Sequence, residues 1–171
     1  MNLLKPALAA VAAVLGLACI VVLAFPTAVP GTSAAEQADD RDVAVRSAAT
    51  RVTKAFLDVD YKDMEDRIKK VLDLSTGTFK NQYETAEVDL KLAVEKEQTV
   101  ATAAVKHVGI ADVDGDNAVV YVAADTKLSN ASTKKAQSEG QDVDDRRMYR
   151  FQLNLTRVGD RWLLNDLQFV T

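Results

Sequence analysis

At 171 residues with 21 Lys and Arg against 25 Asp and Glu, the chain carries a net charge of -4 and has room for one modest domain plus a terminal segment. That mildly acidic balance offers no basic face to neutralise phosphates, so nucleic acid is not an expected partner. The one cysteine, Cys19, lies in an apolar N-terminal stretch, so the remainder can form no internal disulfide, thiolate metal site or cysteine nucleophile.

Ala7 to Phe25 contains no charged or strongly polar residue. At ~1.5 Å per residue this run spans roughly 28 Å, close to the ~30 Å hydrocarbon core of a bilayer. It is apolar all round, whereas a surface helix of a globular domain keeps a polar stripe. Residues 1–26 are therefore expected to be a transmembrane signal-anchor. Lys5 precedes the run, and Glu36, Asp39 and Asp40 follow it, so the N-terminus is expected in the cytoplasm and the rest outside. A signal peptide cleaved near Ser33–Ala35 is the main alternative, and a lipidated Cys19 is another. All three place the C-terminal part outside the cytoplasm. Ala12 and Gly16 form a small-xxx-small spacing that lets helices approach closely in lipid, but an alanine-rich segment produces such a spacing by chance.

Residues 27–37, rich in Pro, Gly, Ser and Ala, read as a linker, and residues 38–171 as the outer domain. Val45, Ala48, Val52, Phe56 and Val59 recur at helical steps. Tyr61, Met64, Ile68 and Val71 mark a shorter helix that fades near Leu74. After the break at Ser75-Thr76-Gly77, a third helix carries Phe79, Tyr83, Ala86, Leu90 and Val94. From Gln98 the composition turns β-branched. Strands are predicted over Thr99–Val113 and Ala118–Lys127, joined by a turn at Asp114-Gly115. Ser129–Asp145 is polar and reads as a mobile loop. Strands follow over Arg147–Val158, with strict apolar/polar alternation, and Trp162–Val170. Three helices followed by four antiparallel strands predict an α+β fold.

The words along this order resemble those of the actinobacterial Mce-associated membrane proteins, whose outer domain is an NTF2-like cone. Asp60-Tyr61, then Leu74-Ser75-Thr76-Gly77-Thr78-Phe79 and Tyr83, is similar to that family's Asp-Tyr … Leu-Thr-Gly-x-Phe … Tyr run, with one residue inserted at Ser75 or Thr76. The tail Gly159-Asp160-Arg161-Trp162-Leu163-Leu164-Asn165-Asp166-Leu167 resembles its Gly-x-Trp-x-Val-x-Asp-Leu ending. The resemblance implies an accessory or stabilising role beside an Mce-type lipid-import system of the cell envelope, with Mce subunits or a lipid as partners.

Five residues are candidates to line the interior of such a cone. His107, the only histidine, shares a face with Ala103 and Val105 if the first strand alternates strictly. Tyr121 and Asp125 share a face of the second strand, and Asp166 shares one with Trp162 and Leu164 on the last. A desolvated carboxylate at Asp125 or Asp166 would suit acid–base chemistry. The plainer readings are a strand-end charge for Asp125 and an ion pair to Arg147 or Arg150 for Asp166. Asp112–Asn117 imitates a calcium loop, yet its sixth position is Asn117 and its twelfth Ala123, so a hairpin turn is expected. Asn130-Ala131-Ser132 and Asn154-Leu155-Thr156 match the glycosylation sequon, a coincidence if the chain is bacterial, as the resemblance implies. No catalytic residue, metal site or cofactor is expected. The competing expectation is an NTF2-like enzyme or small-molecule binder with a polar pocket, and the cone interior decides between them.

Overall fold

The computed structural model describes residues 32–170. The expected anchor over residues 1–26, with Ala12, Gly16 and Cys19, lies outside them. Among the described residues no helix is long and apolar enough to cross a membrane. Asp42 to the C-terminus forms one compact unit, and the residues before it group separately.

In chain order the elements are α1 (Thr32–Leu57), β1 (Val59–Asp60), α2 (Met64–Asp73), α3 (Gly77–Glu97), β2 (Val100–Asp114), β3 (Asn117–Ser129), α4 (Ala131–Ser138), β4 (Arg146–Val158) and β5 (Arg161–Phe169). The strands form one antiparallel sheet in the order β1-β2-β3-β4-β5. The α+β expectation therefore holds, with, among the described residues, an antiparallel sheet of five strands rather than four and four helices rather than three. The added strand, β1, is two residues that pair with Val100 and Ala101. The added helix, α4, lies inside the segment read as a loop. It carries no apolar stripe; a reciprocal cap holds its start, with Asn130 Oδ1 accepting from the Thr133 amide at 2.8 Å and Thr133 Oγ1 from the Asn130 amide at 2.8 Å. Helix α1 begins at Thr32, within the stretch that composition assigns to the linker, where alanines favour helix.

The core lies between the helices and one face of the sheet. Val45, Ala48, Ala49 and Val52 of α1 meet Val120 and Val122 of β3, Phe151, Leu153 and Leu155 of β4, and Trp162 and Leu164 of β5. A smaller cluster joins Met64 and Ile68 of α2 to Val94 of α3. The acidic Glu65 and Asp66 in the first turn of α2 and Lys70 in its last complement the helix dipole.

Three irregularities decide which side chains face inward. The pairing of β2 with β3 shifts between Val105 and His107 and again between Ile110 and Asp112. The pairing of β4 with β5 shifts at Asn154/Leu155, where Asp166 faces Asn154 but Leu164 faces Leu155. Lys106, Ala111 and Asn165 are the extra residues. Such bulges bend a strand and strengthen its twist.

Two of the motif segments meet at the last of these bulges. The Leu164 amide donates to Leu74 O at 2.9 Å and the Thr76 amide to Leu164 O at 2.7 Å. Arg161 Nη2 reaches Asp73 O at 2.7 Å. Gly77 opens α3 at φ +55, and a Cβ there would collide with the side-chain oxygen of Asn165. Only glycine meets both demands cheaply. The Leu-Ser-Thr-Gly and Trp-Leu-Leu-Asn-Asp-Leu words are thus the two halves of one joint between the α2–α3 connection and the final strand.

Candidate functional site

The two core clusters leave an apolar cavity of about 310 Å³ along their seam. Its wall takes Phe56 from α1, Met64 from α2, Leu90 and Val94 from α3, Ala101 from β2, Leu128 from β3, Tyr149 from β4 and Phe169 from β5. Aromatic packing braces one side: Phe56 contacts Phe79 edge-on at 5.9 Å and Phe151 edge-on at 6.1 Å, and Tyr149 stacks on Phe151 at 5.8 Å.

Few polar groups reach this cavity. Asp58 does, but it is engaged: its Oδ1 accepts from the Ala103 amide at 2.7 Å, and its Oδ2 lies 3.2 Å from Lys54 Nζ. Lys54 Nζ in turn donates to Ala103 O at 3.3 Å. Arg67 Nε lies 3.7 Å from Asp63 Oδ2. Four hydroxyl-bearing residues complete the polar part of the wall: Tyr83, Thr99, Thr126 and Tyr149. Thr126 is 3 % exposed, and its Oγ1 has no hydrogen-bond partner among the described residues. Half-buried Tyr83 lies between the clusters; burial, aided by the Glu87 carboxylate, pushes its phenol up to about 12.

None of the five sequence candidates lines this cavity. Trp162, 6 % exposed, is packed in the main core cluster. The other four lie on the opposite face of the sheet. His107 is exposed there and stands opposite Ala123, because Lys106 takes a residue number without taking a place in the ladder. Strict alternation, which put His107 with Ala103 and Val105, fails for that reason. Asn165 does the same to Asp166 and turns it away from Trp162 and Leu164. Asp125 pairs with Lys106 at 3.7 Å.

Tyr121 and Asp166 join one polar ladder across that outer face. Tyr121 Oη donates to Gln152 Oε1 at 3.0 Å, Gln152 Nε2 to Asn154 Oδ1 at 3.4 Å, and Asn154 Nδ2 to Asp166 Oδ2 at 3.3 Å. Gln168 Nε2 donates to the same oxygen at 2.9 Å. Asp166 thus meets amides in place of the expected arginines. Among the polar groups that line the cavity, Tyr83 and Thr126 were hidden in the sequence. Tyr83 fits an ordinary helix stripe. Thr126 left one signal, a hydroxyl at the end of the Val120, Val122, Ala124 face.

Helices packed on one face of a bulged antiparallel sheet define an NTF2-like fold of the VirB8 type. The periplasmic domain of DotI is similar, with a TM-score of 0.59 at 15% identity over 75% of this chain and 94% of that one. CagV, a VirB8 homolog from Helicobacter pylori, gives a TM-score of 0.57 at 10% identity over 75% of this chain and 97% of that one. An IcmL-like type IV secretion system protein from Legionella pneumophila gives 0.56 at 13% identity over 74% and 89%. At these identities the likeness is one of fold.

By sequence, the chain belongs to the family described as Uncharacterized protein Rv1363c/MT1408-like, which matches residues 5–171. Uncharacterized protein Rv1363c of Mycobacterium tuberculosis (strain ATCC 25618 / H37Rv) is 23% identical over 136 residues, 80% of this chain. The chain spans about half the length of that curated relative, 49%.

Proposed function

We propose that the protein is a non-enzymatic, membrane-anchored accessory subunit of an envelope transport machine of the Mce lipid-import type, with its NTF2-like domain on the extracytoplasmic side. The observation that carries this reading is the separation of the candidate acid–base residues from the cavity. His107, Asp125 and Asp166 lie on the solvent face of the sheet, and the charged groups beside the cavity, Asp58 and Arg67, are held in structural pairs. Catalysis asks for a tuned group and an orienting partner near one reacting atom, and the distance of His107, Asp125 and Asp166 from the cavity supports a non-enzymatic reading. Subunits of type IV secretion systems share the fold, which supports a place within an envelope assembly. The motif resemblance supplies the choice of the Mce machinery.

Cross-linking in native membranes, followed by purification through a tag after Thr171, should recover Mce-type importer subunits, and deletion should lower lipid uptake. Unchanged uptake in the deletion strain would remove the transport role. Replacing His107, Asp125 and Asp166 together with neutral residues of similar size should preserve uptake. If that variant accumulates normally yet loses uptake as fully as the deletion, the non-enzymatic reading fails.

A further inference from the structure

The face of the sheet turned away from the helices has its charges sorted. Gly109, Tyr121, Gln152 and Gln168 stand side by side across β2, β3, β4 and β5 and form an uncharged row. On the side of that row towards the β2–β3 turn, the face carries Asp112, Asp114 and Asp166. On the other side it carries Lys106, Lys127, Arg146 and Arg150, with His107. Asp125 and Asp145 temper that basic half, lying 3.7 Å from Lys106 Nζ and 3.5 Å from Lys127 Nζ, while Arg146 and Arg150 keep it positive. Arg161, at the acidic end, is turned aside to Asp73 O. A face with one acidic and one basic half is complementary to a second copy of itself turned end for end.

Gly109 is an independent observation on the same face. Its φ is not positive, and a Cβ there would meet nothing within 4 Å. Neither bulge takes it as the extra residue, since it pairs regularly with Tyr121. Backbone conformation, crowding and strand irregularity thus give no reason for a residue that weakens a strand interior. Tyr121 does not cover it: the hydroxyl is turned the other way, to Gln152, and the residue is 46 % exposed. A bare glycine of this kind marks a place where another chain can approach closely, and it lies on the boundary between the two charged halves.

We propose that this face is the interface of a dimer of the chain, two sheets packed face to face about a two-fold axis that runs along the Gly109–Gln168 row. That axis lays the acidic half of each copy over the basic half of the other, whereas an axis along the strands would lay acid on acid. It also brings the two Gly109 positions opposite each other. The two Tyr121 rings, swung flat over them, fill the ~10 Å between packed sheets. Four strands ~4.8 Å apart and about ten rungs ~3.3 Å apart offer at most roughly 600 Å² per copy, about 1,200 Å² in all, the low end of specific interfaces. The dimer is therefore weak, reversible and sensitive to salt. It requires no transport partner, so it stands apart from the accessory role.

The test is sedimentation velocity of the full chain in a density-matched detergent. At about 100 μM and low salt the chain should sediment as a dimer, and about 0.5 M salt should shift it towards monomer. Asp112→Lys with Asp114→Lys should be monomeric, and so should Arg146→Glu with Arg150→Glu. Mixed in equal amounts, these two variants should form a dimer again, because one face is now wholly basic and the other wholly acidic. Gly109→Val should raise Tm, since a β-branched residue suits an open strand position, yet weaken the dimer about tenfold by occupying the space at the axis. A monomeric wild type at low salt would overturn the proposal. So would the absence of a mixed dimer when both charge variants keep the wild-type Tm. A dimer that survives both charge reversals and Gly109→Val belongs to another surface, such as residues 1–31, and would overturn it equally.

Discussion

At the scale of single residues, the side chains with the strongest demands serve the fold or the cavity wall. Trp162 is buried among Leu164, Leu155 and the α1 stripe, so Trp162→Ala should cost roughly 3–5 kcal/mol in denaturant unfolding. Its place in the core was legible because it is the only tryptophan and stands on an alternating strand. Tyr83 was legible as a helix residue but not as a titratable one, because burial between two clusters leaves no mark in local sequence. Its phenol ionises near 10 when unfolded and at about 12 when folded. Between those values the unfolded chain holds fewer protons, so stability falls as pH rises through that window and is unaffected by this group below it. Tyrosinate absorbance should show one tyrosine titrating late, and Tyr83→Phe should flatten the part of the alkaline stability loss that this group causes.

Elements show where periodicity succeeds and where it runs out. The long strands and helices α2 and α3 lie close to their predicted bounds because each repeats its apolar spacing several times, whereas α1 starts earlier, at Thr32, in a stretch without that spacing. A two-residue strand cannot repeat anything, and β1 continues a stripe that Val59 seemed to close as helix. Its shortness is offset by side chains. Past Ala101 no strand residue is left to pair with β2, and Asp58 and Lys54 instead take the amide and carbonyl of Ala103, while Arg46 Nη1 donates to Val108 O at 2.7 Å. Asp58→Ala should therefore cost about 2 kcal/mol, the loss of a charge-assisted hydrogen bond to a half-covered edge, measurable by thermal unfolding. Helix α4 escaped notice for a different reason, since its stability rests on a cap and not on a buried face. Asn130→Ala should weaken it by about 1 kcal/mol and speed proteolysis within residues 131–145 while leaving global Tm nearly unchanged. Bulges have no composition signature, which is why the faces of His107 and Asp166 could not be read correctly.

For the whole molecule, fold class followed from the segregation of helices and strands, whereas the cavity did not, since it exists only where two clusters fail to merge. Orientation belongs to this scale too. The charge asymmetry about Ala7–Phe25 predicts that a reporter fused after Thr171 is active outside the cytoplasm and silent within it. The opposite pattern would reverse the topology and remove the proposed extracytoplasmic role.

The bulges in β2 also say something about how this chain can change length. Lys106 and Ala111 occupy no rung, so excising either closes the ladder with every neighbour still on its own face. Removing Val108 is a different operation: one bulge must be drawn into the ladder, so either Lys106 becomes a rung and His107 is pushed to the inner face, or Ala111 becomes one and Ile110 is turned to the outer face. Two spare links beside one forbidden cut make β2 tolerant of loss at chosen points. Relatives that differ by one residue in this strand should differ there, and single-residue deletion scanning, read by soluble yield, should find the same two points.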